Sequence, residues 1–208
     1  MKFLRFLLIF LVGVALTVVL LMLEIPIWII YGSIVVLYLL IMMGPQMFTI
    51  YKSNNLKRIE RYLNENKRKP IFAYPLAIQD GNQEKIIQAV QAILMKYKQP
   101  YVQEVYKTNL ALHEHHVSKI EQLAKQISKD PLRTYYIAYA EALKGNFDEA
   151  RTLKANLKQQ WMPHAIEALI AKQNDDMLTF RTHANTSIEH ARGVQKFNLV
   201  YSFANMEK

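Results

Sequence analysis

Between Phe6 and Met43 the chain carries a single charge, Glu24. The stretch divides there into two apolar runs, Phe6 to Leu23 and Ile25 to Met43, of 18 and 19 residues. A bilayer core of about 30 Å takes roughly 20 helical residues, so each run suffices for one crossing and the two together are too long for one. Pro26 suits the first turn of a second helix. The expectation is a transmembrane helical hairpin over residues 1–45, with Glu24 at the far surface and Gly44-Pro45 ending the second span. Ala15 and Thr17 then face Gly32 and Ser33, small residues that permit close packing. A cleaved signal peptide fits less well, because no small-x-small site follows the first run and a second apolar run begins at once.

The flanks orient the hairpin. Lys2 and Arg5 precede it, seven Lys/Arg lie between Tyr51 and Lys69, and the turn has none. The positive-inside bias places both termini in the cytoplasm, with a bacterial cell membrane as the expected setting. The seven cations are set against Glu60 and Glu65 only, a balance of +5 over that stretch. Residues 46–69 read as a basic juxtamembrane helix, with Leu56, Ile59, Tyr62 and Leu63 at helical spacing. Lys57, Arg58, Arg61, Lys67, Arg68 and Lys69 are its candidate membrane-surface residues, each worth about 1 kcal/mol near an anionic leaflet. The same charges also serve a solvated neck that only sets topology.

Residues 70–208 form the soluble part. No strand-like alternation is present, and apolar residues recur at three and four along short segments. Examples are Ile86, Val90, Ile93 and Tyr97, then Leu132, Tyr135, Tyr136, Tyr139 and Leu143. Breaks are expected at Asp80, His113, Lys129, Lys144, Trp161 and Gln173, with Phe147 to Trp161 as one helical stripe. Alternate breaks near Asn82, His116, Asn146 and Asn174 lie 34, 30 and 28 residues apart. Helix pairs at that period are the signature of an α-solenoid, so the fold class is all-α.

Gly145-Asn146-Phe147-Asp148-Glu149-Ala150 resembles the turn of a tetratricopeptide repeat, with Ile137 and Ala138 matching in the preceding helix. Thr134, Glu141 and Lys154 depart from the family pattern. The resemblance implies tetratricopeptide-like helix pairs that bind a protein or peptide partner. It also implies that Leu132, Tyr135, Tyr139 and Leu143 line an inner groove, where aromatics serve as anchors. An aromatic stripe at helical spacing is more often core, which is the favoured reading of these four residues.

Chemistry is sparse. The absence of cysteine removes disulfides, thiolate metal sites and cysteine nucleophiles. His113-Glu114-His115-His116 offers metal-ligating groups but lacks the spacing that puts two imidazoles on one helical face. It reads as a polar turn at which water competes. His164, His183 and His190 are single residues on helices. Asp148-Glu149 and Asp175-Asp176 open helices, where negative charge complements the dipole. There is no phosphate loop, nucleophile elbow or dinucleotide fingerprint. Pro70 to Lys208 has 17 Lys/Arg against 14 Asp/Glu, too even for a nucleic-acid face. The expected function is therefore that of a membrane-anchored cytoplasmic scaffold or adaptor, with no enzymatic activity and no cofactor. The alternatives are an accessory subunit that docks through the hairpin, and a metal enzyme at His113 to His116.

Overall fold

The computed structural model describes residues 11–15, 17–19, 22–23 and 26–207. These residues are helical throughout, apart from turns, and contain no strand. They divide into two compact units, Met1–Phe48 and Thr49–Lys208.

The first expected span and the turn at Glu24 fall largely outside the described residues, although 11–15 and 17–19 are helical. The second run forms α1, Ile27–Tyr51, 25 residues with a mean hydropathy of 2.3. It is long and apolar enough to cross a membrane, and among the described residues it is the one such helix. Trp28, Tyr31 and Leu40 stand exposed on it. Contrary to expectation, Gly44-Pro45 does not end this helix, which continues through Pro45 to Tyr51. Proline removes one donor and kinks a helix, but long apolar helices tolerate it where the other backbone bonds hold. The hydroxyls of Thr17 and Ser33 donate to their own helix, to Gly13 O and Ile30 O, both at 2.8 Å.

The second unit contains α2 (Leu56–Asn66), α3 (Pro70–Asp80), α4 (Gln83–Lys96), α5 (Pro100–His113) and α6 (Val117–Ala124). It continues with α7 (Leu132–Leu143), α8 (Phe147–Lys154), α9 (Trp161–Gln173), α10 (Met177–His190) and α11 (Gly193–Met206). Side-chain caps set several starts: Asn55, Asn82 and Asp176 accept from the backbone N–H groups of Arg58, Lys85 and Thr179.

Three turns share one backbone geometry. His115, Gly145 and Asp175 each take a positive φ, of 58°, 84° and 57°. In each turn the next residue's N–H bonds back five positions, His116 to Ala111 O, Asn146 to Glu141 O and Asp176 to Ala171 O. The three turns therefore recur every 30 residues, although only one of them uses glycine. At the Gly145 turn the Glu141 carboxylate accepts from Asn146 Nδ2 at 2.7 Å and Lys144 Nζ at 2.9 Å. The acid at that corner holds the turn together.

Each helix packs on the next in chain order from α2 to α11, and α7 also meets α9. The sequence then closes on itself, because α11 packs against α2 and α3. Phe197 on α11 is fully buried against Ile59 and Leu63 of α2. Asn205 Nδ2 donates to Ile78 O at 2.8 Å, and Gln79 Nε2 donates to Tyr201 Oη at 3.0 Å. The amide of Gly193 donates to Ser53 O at 2.8 Å.

Two expected boundaries need correction. Residues 46–69 are not a separate neck, since the compact unit begins at Thr49 and the apolar stripe of α2 lies in its core. Lys57, Arg58, Arg61, Lys67, Arg68 and Lys69 remain exposed. The stripe from Phe147 does not run on to Trp161 either. Helix α8 ends at Lys154, and Trp161 opens α9. Pro163 then sits in the first turn of α9, where its missing N–H had no partner to lose.

Candidate functional site: an aromatic chamber

The first helices of successive pairs face inward. Residues of α3, α4, α5, α7, α9 and α11 enclose a cavity of about 750 Å³. No residue of α8 or α10 lines it; those helices form the outer layer. Leu132, Tyr135, Tyr139 and Leu143 all stand on the α7 wall. The two tyrosines are also buried core residues, each 8% exposed. Core and groove, posed as alternatives by the sequence, coincide here: the rings pack on one another and still border the open volume.

Ring contacts build the walls. Tyr135 meets Trp161 at 5.2 Å, Tyr136 at 5.4 Å and Tyr139 at 6.1 Å between centroids. Across the chamber Tyr74 meets Tyr106 edge-on at 5.8 Å. Periodicity pointed to Tyr136 and Tyr106 as apolar positions. It gave no signal for Tyr74, Trp161 or Asn198 as parts of the same wall.

A polar seam crosses three helices. Asn109 Nδ2 donates to Tyr136 Oη at 2.8 Å. The Tyr74 hydroxyl lies 3.0 Å from His113 Nε2 and 3.4 Å from Asn109 Oδ1. His113 is thus tucked against tyrosine and is not a residue of an open polar turn. Burial, followed by the nearby His115, lowers its pKa to about 4. Burial raises the phenols, Tyr106 and Tyr139 to about 12 and Tyr74 and Tyr135 well above their ordinary value. At neutral pH the chamber therefore presents uncharged phenols and an uncharged imidazole. Neither Asp nor Glu lines it, and Lys172 is its one permanent cation. Asn198 also lines it, and its buried Oδ1 has no hydrogen-bond partner.

The remaining histidines are not isolated. His164 Nδ1 lies 3.1 Å from His183 Nδ1, and the His164 ring stacks on those of His183 and His190 at 5.4 and 5.8 Å. The spacing of His183 and His190, two turns apart on α10, was the available signal. Parallel stacking turns the ring nitrogens away from a common centre. Among the described residues no group of three or more His, Cys, Asp or Glu has a metal-holding arrangement.

These shifts predict a pH dependence of stability. His113 has a folded pKa near 4 against an ordinary 6.5, so the fold binds fewer protons than the unfolded chain between those values. Stability is full above pH 6.5 and falls as pH drops through the window. About 3 kcal/mol is lost by pH 4, at 1.36 kcal/mol per unit. His164 is lowered as well, first by burial and then by His183 and His190, and adds in the same direction. Thermal melts of the full chain in detergent should show the loss, and His113→Gln should flatten most of it.

No family model matches this chain, and comparison with curated proteins and with solved structures gives no match.

Proposed function

We propose that the chain is a membrane-anchored, non-catalytic adaptor whose α-solenoid of tetratricopeptide-like helix pairs recognises a partner through its internal chamber. The observation that carries this reading is the enclosed aromatic volume, with Leu132, Tyr135, Tyr139 and Leu143 on one wall. Chambers of this size and polarity are binding sites far more often than packing faults. Two turns of helix occupy roughly 850–1,000 Å³, taking a 10–11 Å diameter and 1.5 Å per residue. A helix is therefore too large to enter, and a protein partner would have to insert an extended segment.

In this reading a two-span hairpin fixes the domain to a bacterial cell membrane, with both termini cytoplasmic. The exposed basic face of α2 then lies four residues beyond α1 and meets anionic headgroups. The rival, docking through the hairpin, is less favoured because Thr17 and Ser33 spend their hydroxyls on their own helix.

Two measurements test the proposal. The chain has no cysteine, so single cysteines report cleanly. One beside Glu24 should react with an impermeant thiol reagent from outside intact cells, and one at Lys208 should not; the reverse pattern would overturn the topology. A photocrosslinking phenylalanine analogue at Tyr139 should capture a discrete polypeptide in the native membrane. Equal capture from a position on the outer face of α8 would remove the chamber from partner recognition.

A further inference from the structure

The chamber has a chemistry of its own, and the inference drawn from it rests on the reading above that the chamber is a recognition site. We infer that it takes a compact, ring-bearing organic molecule that is uncharged or singly anionic and donates at least one hydrogen bond. Size, wall, charge and an orphaned acceptor each narrow the class.

The volume of about 750 Å³ lies within the range of small-molecule sites. Six aromatic rings border it: Tyr74, Tyr106, Tyr135, Tyr136, Tyr139 and Trp161. Edge-on and offset contacts with a bound ring add attraction beyond area burial. Such walls also attract organic cations through the ring faces. Here the charge pattern opposes a cation. No carboxylate lines the chamber, the phenols are held neutral, His113 is neutral, and Lys172 is cationic. The Lys172 ammonium has Met177 Sδ as its near neighbour, at 3.6 Å, and no carboxylate partner. One anionic group on the occupant would complete it.

The donor requirement comes from Asn198. Its Oδ1 is sealed from solvent and makes no hydrogen bond within the protein, an arrangement that costs free energy until a donor arrives. The Tyr74–His113–Asn109–Tyr136 seam is already paired internally. The Asn198 carbonyl is thus the open polar contact on the α11 wall.

The test uses naphthalene probes on the full chain in detergent. A Trp28→Phe background leaves Trp161 as the reporter, since the chain has two tryptophans. 2-Naphthol should quench Trp161 emission and bind about tenfold more tightly than 2-methoxynaphthalene, which lacks the donor. Asn198→Leu should erase that difference. 2-Naphthoate should bind at least tenfold more tightly than 2-naphthylmethylammonium, and Lys172→Met should narrow the gap. Tighter binding of the ammonium probe, equal binding of naphthol and its methyl ether by the unsubstituted chamber, or no response to any probe would each overturn the inference. The last pair needs no variant to fold. Photocapture at Tyr139 without probe binding would sink the small-molecule inference and leave the adaptor reading standing. Probe binding with these preferences, alongside equal capture from chamber and outer face, would do the opposite.

Discussion

Tyr135→Ala is expected to lower the stability of the helical unit by about 3–5 kcal/mol, the usual cost of truncating a buried aromatic. The ring is 8% exposed and touches Trp161, Tyr136 and Tyr139. Its loss removes transfer free energy and three ring contacts together. At roughly 2–4 °C per kcal/mol for a chain of this size, the midpoint should fall by about 10 °C. Tyr135→Phe keeps the ring and should melt within about 3 °C of the parent, because the hydroxyl borders open volume and has no partner to lose. An alanine variant that melts like the parent would mean that the α7 wall is not packed as described.

Gly193→Val should be as damaging, through the backbone. Gly193 has a φ of 58°, and an added Cβ would lie 1.8 Å from Ile50 O and 2.8 Å from Tyr51 N. A side chain there costs about 1–2 kcal/mol for the left-handed conformation alone. It must also push residues 50–51 aside, which breaks the Gly193 bond to Ser53 and lifts the start of α11. The sum should exceed about 3 kcal/mol and lower the midpoint by roughly 10 °C. Gly145→Ala is the built-in control. Its φ is 84°, yet nothing lies within 4 Å of the added carbon, so only the conformational cost of about 1 kcal/mol remains. His115 and Asp175 already bear that cost at the equivalent turns. Equal losses at Gly193 and Gly145 would show that the contact with Ile50 is not what matters.

What the sequence discloses follows from the range of the interactions involved. Helix α7 and the Gly145 turn were readable because a 3.6-residue stripe and a left-handed cap are local signals. The 30-residue recurrence was only partly readable: His115 and Asp175 adopt the glycine-like conformation without being glycine. Helix α3 was missed as a stripe because Ile71 to Ile78 is apolar on all sides and contains Pro75. The basic stretch was read as a neck because its burial depends on Phe197, more than 130 residues away, and no local pattern encodes that contact. The chamber is the same case on a larger scale. Leu132, Tyr135, Tyr139 and Leu143 were found from one helix face, whereas Tyr74, Trp161 and Asn198 join them only once the helices are packed.

The closure of α11 onto α2 and α3 also fixes the order in which this molecule can be made. Tyr201 and Asn205 find their partners 122 and 127 residues back along the chain. At a synthesis rate of 5–20 residues per second, the earlier helices wait roughly 6–25 s for the helix that covers them. Throughout that interval Ile59 and Leu63 lie uncovered beside a hydrophobic segment already entering the bilayer. Newly made chains therefore pass through a sticky, half-built stage at the membrane surface. Yield in cells should depend on how quickly the ribosome delivers the final 20 or so codons (one 14-residue helix and its approach) as well as on the stability of the finished fold.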